Sequence, residues 1–346
     1  MSLFTCPLPL TTTETILLGH GSGGKLSADL LRTVFLPALA NPFLDRMDDQ
    51  AVVEITGTRL AFTTDSFVVK PLFFPGGDIG SLAVHGTVND LAMGGARPLF
   101  LSTAFIVEEG FPMETLRRIV HSIQIAASAA DVQVVTGDTK VVEKGCADGI
   151  FINTSGIGVL DPGIELSANQ ARPGDRVIIS GSIGDHGIAV MASREGLEFE
   201  TTIESDTAPL HGLVARMLAQ TDGIRCMRDP TRGGVSSTCN EIADQSRVGI
   251  ELFEPNLPIK EEVRGACELL GLDPLYVANE GKLIAIVAPE IADQLVARMR
   301  KHHFGRDAQI IGTVTAENPG LVTMRTNVGT TRVVDMLAGD QLPRIC

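Results

Sequence analysis

Residues 51–67 read Ala51-Val-Val-Glu-Ile-Thr-Gly-Thr-Arg-Leu-Ala-Phe-Thr-Thr-Asp-Ser-Phe67. Their alternation of apolar and polar positions on either side of Gly57 predicts a strand over 51–56, a turn, and a second strand over 60–67. Downstream, 80–93 carries a helical pattern stopped by Gly94, Gly95 and Pro98. Residues 99–107 read as a third strand, and Pro112 opens an amphipathic helix with Leu116, Ile119, Val120, Ile123 and Ala127 on one face. Strands over 132–136 and 150–159 complete a ββαβαβ order.

The second half repeats the style without repeating the sequence. Strands over 176–180, 249–253, 282–288, 309–314 and 321–325 alternate with helices over 185–194, 210–219, 234–246, 260–270 and 290–302. Asp161-Pro-Gly163 and Arg172-Pro-Gly-Asp175 bracket a linker. The expectation is an α/β (α+β) protein of two layers side by side. Its divisions are a glycine loop and helix at 1–45, a domain at 46–162, a second at 172–328, and a tail at 329–346.

A chain of 346 residues, 44% hydrophobic and 20% charged, is long enough for two cores. The net charge of −14 repels a phosphate backbone, which argues against nucleic acid. It also means that a nucleotide has to be held by metal ions or helix N-termini. The first ten residues lack the basic start and apolar core of a signal peptide, and no apolar run approaches the ~20 residues of a membrane span. The expectation is a cytoplasmic protein away from membranes. Six scattered cysteines without a CxxC pair argue against structural zinc and a disulfide framework, so five read as small core residues.

The sixth, Cys346, ends the chain. Gly339 is free to swivel and Pro343 stiffens the arm before the thiol, so Gly339-Asp-Gln-Leu-Pro-Arg-Ile-Cys346 reads as a tether carrying a nucleophile. A frayed terminus fits the same residues. The adjacent α-carboxylate is expected to raise the thiol pKa and Arg344 to lower it.

Acidic residues stand where strands end: Asp48 and Asp49 before the first strand, Asp65 within the second, Asp90 on the helix, Asp138 just after the fourth. Each alone serves equally as a cap or turn residue. Several converging from different elements suit a pair of magnesium ions bridging nucleotide phosphates, because hard cations take oxygen ligands. The loop Gly19-His-Gly-Ser-Gly-Gly-Lys25 precedes a helix, and amides near Gly23 and Gly24, with Lys25, can close over phosphates; an ordinary turn fits equally. Two more loops, 180–187 and 228–234, each follow a strand and open a helix. Ala278-Asn-Glu-Gly281 brings the carboxylate of Glu280 to the start of a strand, and Lys140 follows Asp138 by two residues.

These motifs, HGSGG at 20–24, TTDSF at 63–67, GTVND at 86–90, VTGDTKVV at 135–142, FINTSG at 151–156, GDHG at 184–187, DPTRGGV at 229–235, ANEGKL at 278–283 and the final PRIC, resemble those of the HypE family of hydrogenase maturation factors. That family is a carbamoyl dehydratase branch of the superfamily that includes aminoimidazole ribonucleotide synthetase. The resemblance runs over essentially the whole chain. It implies a homodimer whose first domains build a shared β-barrel, ATP and Mg2+ between the domains, and a mobile tail. It further implies that Cys346 receives a carbamoyl group from the carbamoyltransferase HypF and that ATP drives its dehydration to a thiocyanate. The cyanide ligand then passes to the iron of a nickel–iron hydrogenase through a HypC–HypD complex. By the same resemblance Asp49, Asp65, Asp90 and Asp138 bind ATP and metal, Asn153, Gly23 and Gly24 bind ATP, and Glu280 is the base, with Lys140 near the transferring phosphate or Glu280 itself.

Three rivals remain at this level, one of them a redox-sensing dimer, which needs a second exposed cysteine that the sequence does not obviously place. Another ATP-dependent synthetase or kinase of the superfamily explains the aspartates but not Cys346. A non-enzymatic thiol carrier explains Cys346 but not the aspartates and glycine loops.

Overall fold

In the computed structural model, which describes residues 15–39, 41–196, 203–219, 222–337 and 344–346, the strand pair forms as expected. β1 (Ala51–Ile55) and β2 (Thr58–Phe67) are antiparallel and join at Thr56-Gly57, where both residues have positive φ. β3 (Arg97–Glu108), β4 (Gln133–Val142) and β5 (Ile150–Leu160) complete a five-stranded sheet in the order β1-β2-β5-β3-β4, antiparallel except for β3 with β4.

Ahead of the sheet, the single turn Leu18–Gly21 leads into helix α1, whose first segment is Lys25–Leu30. Helix α2 (Ile79–Met93) covers one sheet face and is buried along nearly its whole length. Asp78 caps it, its Oδ1 accepting from the amides of Gly80 (2.7 Å) and Ser81 (3.0 Å). The helix lies so close that a Cβ on Gly156 of β5 would meet Leu91 and Thr87 at 2.8 Å. Helix α3 (Met113–Ala129) packs on α2 through Ile119, Ile123, Ala126 and Ala127. Val120, expected on that face, is 47% exposed, because the buried stripe follows 119, 123, 126 and 127.

Among the described residues no helix covers the other sheet face. Alternation puts Ala61, Thr63 and Phe67 inward while Phe62, Phe100, Ile106 and Ile157, between 40 and 47% exposed, point outward.

Residues 161–175 run without strand or helix but pack closely: Leu166, Ala168 and Ala171 are buried, and Asp48 accepts from Ser167 Oγ (2.9 Å) and the Ala168 amide (3.1 Å). The second sheet has seven strands: β6 (Arg176–Ile179), β7 (Ile224–Arg228), β8 (Gly249–Phe253), β9 (Ile284–Val287), β10 (Gln309–Thr315), β11 (Val322–Arg325) and β12 (Thr331–Val333), ordered β12-β11-β8-β10-β6-β9-β7. Helices α4 (Asp185–Glu195), α5 (His211–Leu218), α6 (Gly234–Ser246), α7 (Glu261–Leu270) and α8 (Pro289–Met299) accompany it.

Strands β7 and β12 go beyond those expected. β7 is the strand that the loop at 228–234 must follow. β12 pairs antiparallel with β11, Val334 after it is fully buried, and the Leu337 carbonyl accepts from the Lys25 amide at 2.8 Å. Residues 331–337 are therefore part of the packed fold and not of a free tail. Of the six cysteines, Cys226, Cys239 and Cys267 are buried as expected, Cys146 is exposed, and Cys6 lies outside the described residues.

Candidate active site

Three elements bring ionisable side chains toward one another. β2 delivers Asp65, the last turns of α2 deliver Asp90, and the β7–α6 loop delivers Asp229 and Arg232. The loop before β9 adds Glu280, 3% exposed. Burial pushes every one of these carboxyl groups up. Asp229 rises to about 6. Asp90 goes well above the usual carboxylate range through burial and then Asp229, Asp65 and Asp49; Glu280 does so through burial and then Asp229, Asp65 and Asp206. Arg232 is the cation facing them and pulls Asp65 and Glu280 back down.

The chain end is seated in this cluster. A cavity of about 300 Å3 is lined by Cys346, Arg232, Ser66, Val68 and Gly21 among others. The Cys346 carbonyl accepts from the Val68 amide (2.9 Å) and the Arg344 carbonyl from the Lys70 amide (3.1 Å), so the last residues extend the chain past β2 as a short antiparallel addition. Ile345 is 4% exposed in the core. Arg194 donates to the carbonyls of Lys70 and Arg344, both at 2.8 Å. Arg344 pairs with Asp148 and donates to the Val68 carbonyl (2.8 Å), so it does not face the thiol. The cation expected from Arg344 is Arg232 instead. Burial raises the Cys346 thiol, Arg232 opposes, and Glu280, Asp65 and Asp229 add to the rise. Docked, the sulfur is a neutral thiol. Gly339 and Pro343, expected to articulate the arm, lie outside the described residues.

Asp49 stands at the far side, its Oδ1 2.8 Å from Arg228 Nε; Arg228 also holds Glu241 at 3.0 Å. Thr63 Oγ1 lies 2.9 Å from both the Asp49 carbonyl and Asp90 Oδ2, its single hydroxyl hydrogen serving one or the other, and so links the two aspartates. Asp48 is spent on Ser167 and Arg46.

Gly23 and Gly24 abut the same loop. Gly23 has φ +74°, a Cβ there would meet the Arg232 carbonyl at 2.7 Å, and one on Gly24 would meet the Leu337 carbonyl at 2.4 Å. The glycines thus let the N-terminal loop close on Arg232, which donates to the Gly21 carbonyl at 2.8 Å. Lys25 pairs with Asp335. Asn153 lies on the outer face of the sheet and donates to the Asp65 carbonyl (2.8 Å) and Ser66 Oγ (3.0 Å), holding the end of β2.

Asp138 and Lys140 do not join the cluster. β4 runs on through Val142, so Asp138 lies within a strand and not after one. Ladder partners Ser66, Asn153, Ala104 and Asp138 form one row, and directly paired residues share a face. Asp65, one residue from Ser66, points to the opposite face. Three strand spacings, roughly 14 Å, separate Asp138 from Ser66. Asp138 and Lys140 pair with each other at 2.8 Å, both largely exposed, and Lys140 holds the Asp138 carboxyl below its usual value. Within one chain Lys140 is not beside Glu280.

Asp229, Arg232 and Asp206 were not singled out from sequence. The first two stand in the DPTRGGV motif, where neighbouring glycines drew the reading toward backbone amides. Asp206 has no motif. It is recognisable only in space, where its Oδ1 accepts from the Glu280 amide (3.0 Å) and its Oδ2 pairs with Lys282 (2.9 Å).

For a divalent cation, the donors are oxygen and anionic, and Asp49 Oδ2 and Glu280 Oε1 are buried without a partner, as a site awaiting a cation leaves them. Among the described residues no three acidic, histidine or cysteine side chains meet at one point. The donor type fits magnesium, which takes one or two carboxylates and completes its shell with phosphate and water oxygens; Asp49, Asp65, Asp90 and Asp229 are the carboxylates from which it would draw them.

Two family models match the chain, "AIR synthase related protein, N-terminal domain" over 47–160 and its C-terminal counterpart over 172–324. The carbamoyl dehydratase HypE of Azotobacter vinelandii is 59% identical over 327 residues, covering 94% of this chain and 96% of that protein. The chain belongs to the HypE family of carbamoyl dehydratases. Solved HypE structures share the whole fold. A HypE–HypF complex superposes with a TM-score of 0.85 at 53% identity, covering 89% of this chain and 99% of that one. HypE in complex with ATP gives 0.81 at 48%, covering 96% and 100%. In this HypE-family chain no helix of the described residues is long and apolar enough to cross a membrane.

Proposed function

We propose that this chain dehydrates a carbamoyl group carried on Cys346 to a thiocyanate at the expense of ATP, supplying the cyanide ligand for a nickel–iron hydrogenase. The observation that carries the reading is the seat of Cys346 in a cavity that Arg232 also lines, close enough to Glu280, Asp65 and Asp229 for their charge to act on the thiol.

The half-buried thiol, its pKa raised, is a poor nucleophile in this seat, so carbamoylation takes place with the tail withdrawn, on a carbamoyltransferase of the HypF kind. Returned to the cavity, the thiocarbamate S–C(=O)–NH2 presents an oxygen that is a poor leaving group. Its attack on the γ-phosphorus of ATP forms a C–O–P linkage and releases ADP, with loss of one nitrogen proton. Loss of the second proton as the C–O bond breaks leaves S–C≡N and inorganic phosphate. The oxygen lost from carbon ends in phosphate, so the tail loses the mass of one water. Glu280 is the group for the nitrogen protons, since its raised pKa makes it a strong base once ionised. Arg232 faces the carbonyl end and the incoming phosphoryl group, and enclosure keeps water from the activated intermediate. Asp49, Asp65, Asp90 and Asp229 would hold magnesium, which neutralises phosphate charge. The tail, carrying the thiocyanate on Cys346, then leaves the cavity for a HypC–HypD-type acceptor.

The reading includes a homodimer formed through the bare outer face of the first sheet. Phe62, Phe100, Ile106 and Ile157 offer it apolar surface, and a second copy is the route by which Asp138 and Lys140 reach an active site that they miss within their own chain.

Incubating the carbamoylated protein with ATP and magnesium, followed by mass spectrometry of the C-terminal peptide, tests the function. Loss of one water, absent without ATP and in Cys346→Ala, is expected. ATP hydrolysis with the tail unchanged points to another kinase or synthetase of the superfamily, and an unchanged tail without hydrolysis leaves only a carrier.

A further inference from the structure

His186, in the first turn of α4, is fully buried and takes no part in the chemistry above. Its Nε2 lies 2.8 Å from the Ile345 carbonyl and its Nδ1 2.8 Å from Ser205 Oγ. A carbonyl only accepts, so Nε2 carries the proton. Burial holds the ring below its ordinary pKa, which leaves Nδ1 to accept from the Ser205 hydroxyl. Phe74 packs edge-on against the ring with centroids 5.5 Å apart. Both nitrogens and one flank are thereby engaged, and the ring is fixed.

Ser205 is itself anchored. Its amide donates to the Pro75 carbonyl (2.8 Å), and its hydroxyl accepts from the Thr207 amide (3.2 Å). The next residue, Asp206, accepts from the Glu280 amide and pairs with Lys282. Two adjacent side chains of one short segment therefore hold two different things: Ser205, through His186, the carbonyl one residue before Cys346, and Asp206, the backbone of Glu280.

We propose that His186, braced by Ser205, is a positioning residue for the dehydration: it sets the register of the tail so that the group on the Cys346 sulfur meets Glu280. This rests on the function proposed above. The imidazole's partners are the Ile345 carbonyl, Ser205 and Phe74, none of them a candidate ATP-binding residue, so its effect is expected on occupancy of the seat and on turnover and not on nucleotide binding.

The test uses the full-length protein and the variants His186→Leu, His186→Gln and Ser205→Ala. It reads single-turnover water loss from carbamoylated Cys346, the ATP dependence of that step, and alkylation of unmodified Cys346 by iodoacetamide, followed on the C-terminal peptide. Leu fills the space without a donor. Losing one buried hydrogen bond is expected to slow water loss about fivefold to tenfold and to speed alkylation by a like factor. The KM for ATP stays unchanged. Gln, which can place an N–H near the Nε2 position, restores most of both rates, and Ser205→Ala falls between. Wild-type rates in His186→Leu overturn the proposal. So does a slow variant whose ATP KM rises in step and which Gln does not rescue, since that is general structural damage. If His186→Leu does not fold, Ser205→Ala decides on the same readouts. Should the wild-type tail lose no water at all, the dehydratase reading fails, while equal alkylation across the variants would separately remove the seat.

Discussion

Glu280 and Arg232 form the point where the tail meets the acidic cluster, and each has its own expected signature. Glu280→Gln keeps size and reach but cannot take a proton, so carbamoylated Cys346 should accumulate in the presence of ATP while nucleotide binding persists. Water loss at the normal rate would leave the base unassigned. Arg232→Ala removes the cation facing both Cys346 and Glu280. Deleting a donor aimed at developing charge typically slows turnover ~100- to 1,000-fold, and that range is expected here, with Arg232→Lys recovering part of it. Asn for Asp65, Asp90 or Asp229 should weaken magnesium-dependent ATP binding by calorimetry; unchanged affinity in all three would return them to structural roles.

Helix α2 is the element that ties the halves together. Asn89 donates to the carbonyls of Ala208 (3.0 Å) and Glu280 (3.3 Å) and accepts from the Leu210 amide (2.8 Å), all in a dry interior. Asn89→Leu orphans those groups, at roughly 1–3 kcal/mol each for buried partners, and should lower the unfolding midpoint in urea clearly. Four residues earlier, burial lowers His85 to about 4 from its ordinary 6.5. Below pH 6.5 the unfolded chain takes a proton that the folded one refuses until about pH 4, so stability from this group falls with pH across that window. At about 1.4 kcal/mol per pKa unit, the loss by pH 5 is ~2 kcal/mol. His85→Gln should flatten the difference between urea titrations at pH 7 and pH 5; an identical slope would mean that His85 is not the group responsible.

At the scale of the molecule, the outer sheet face carries the next expectation. Phe62→Asp together with Ile157→Asp should convert a dimer to a monomer by light scattering. Mixed dimers sharpen the point. Lys140→Ala and Glu280→Gln, each inactive alone, should regain water loss when combined if Lys140 serves the partner's site, because one of the two sites then has both residues. No recovery would mean that Lys140 does not act across the interface, and an active Lys140→Ala single variant would place it outside the reaction.

Alternation about Gly57 was legible in residues 51–67 and a helical stripe in 113–129, because strand and helix periods are local properties that one stretch of chain carries. The terminal thiol and the PRIC motif were legible for the same reason. What lay beyond the sequence was which side of a sheet a residue faces and what meets it. Asp138 looked like a loop ligand because a short apolar run at 132–136 conceals a strand that continues to Val142, and register with three other strands then turns it away from Asp65. Arg232 replaces Arg344 as the cation at the thiol because a glycine-lined loop more than a hundred residues earlier closes over the tail. Such pairings depend on packing between distant segments, and only the tertiary structure decides them.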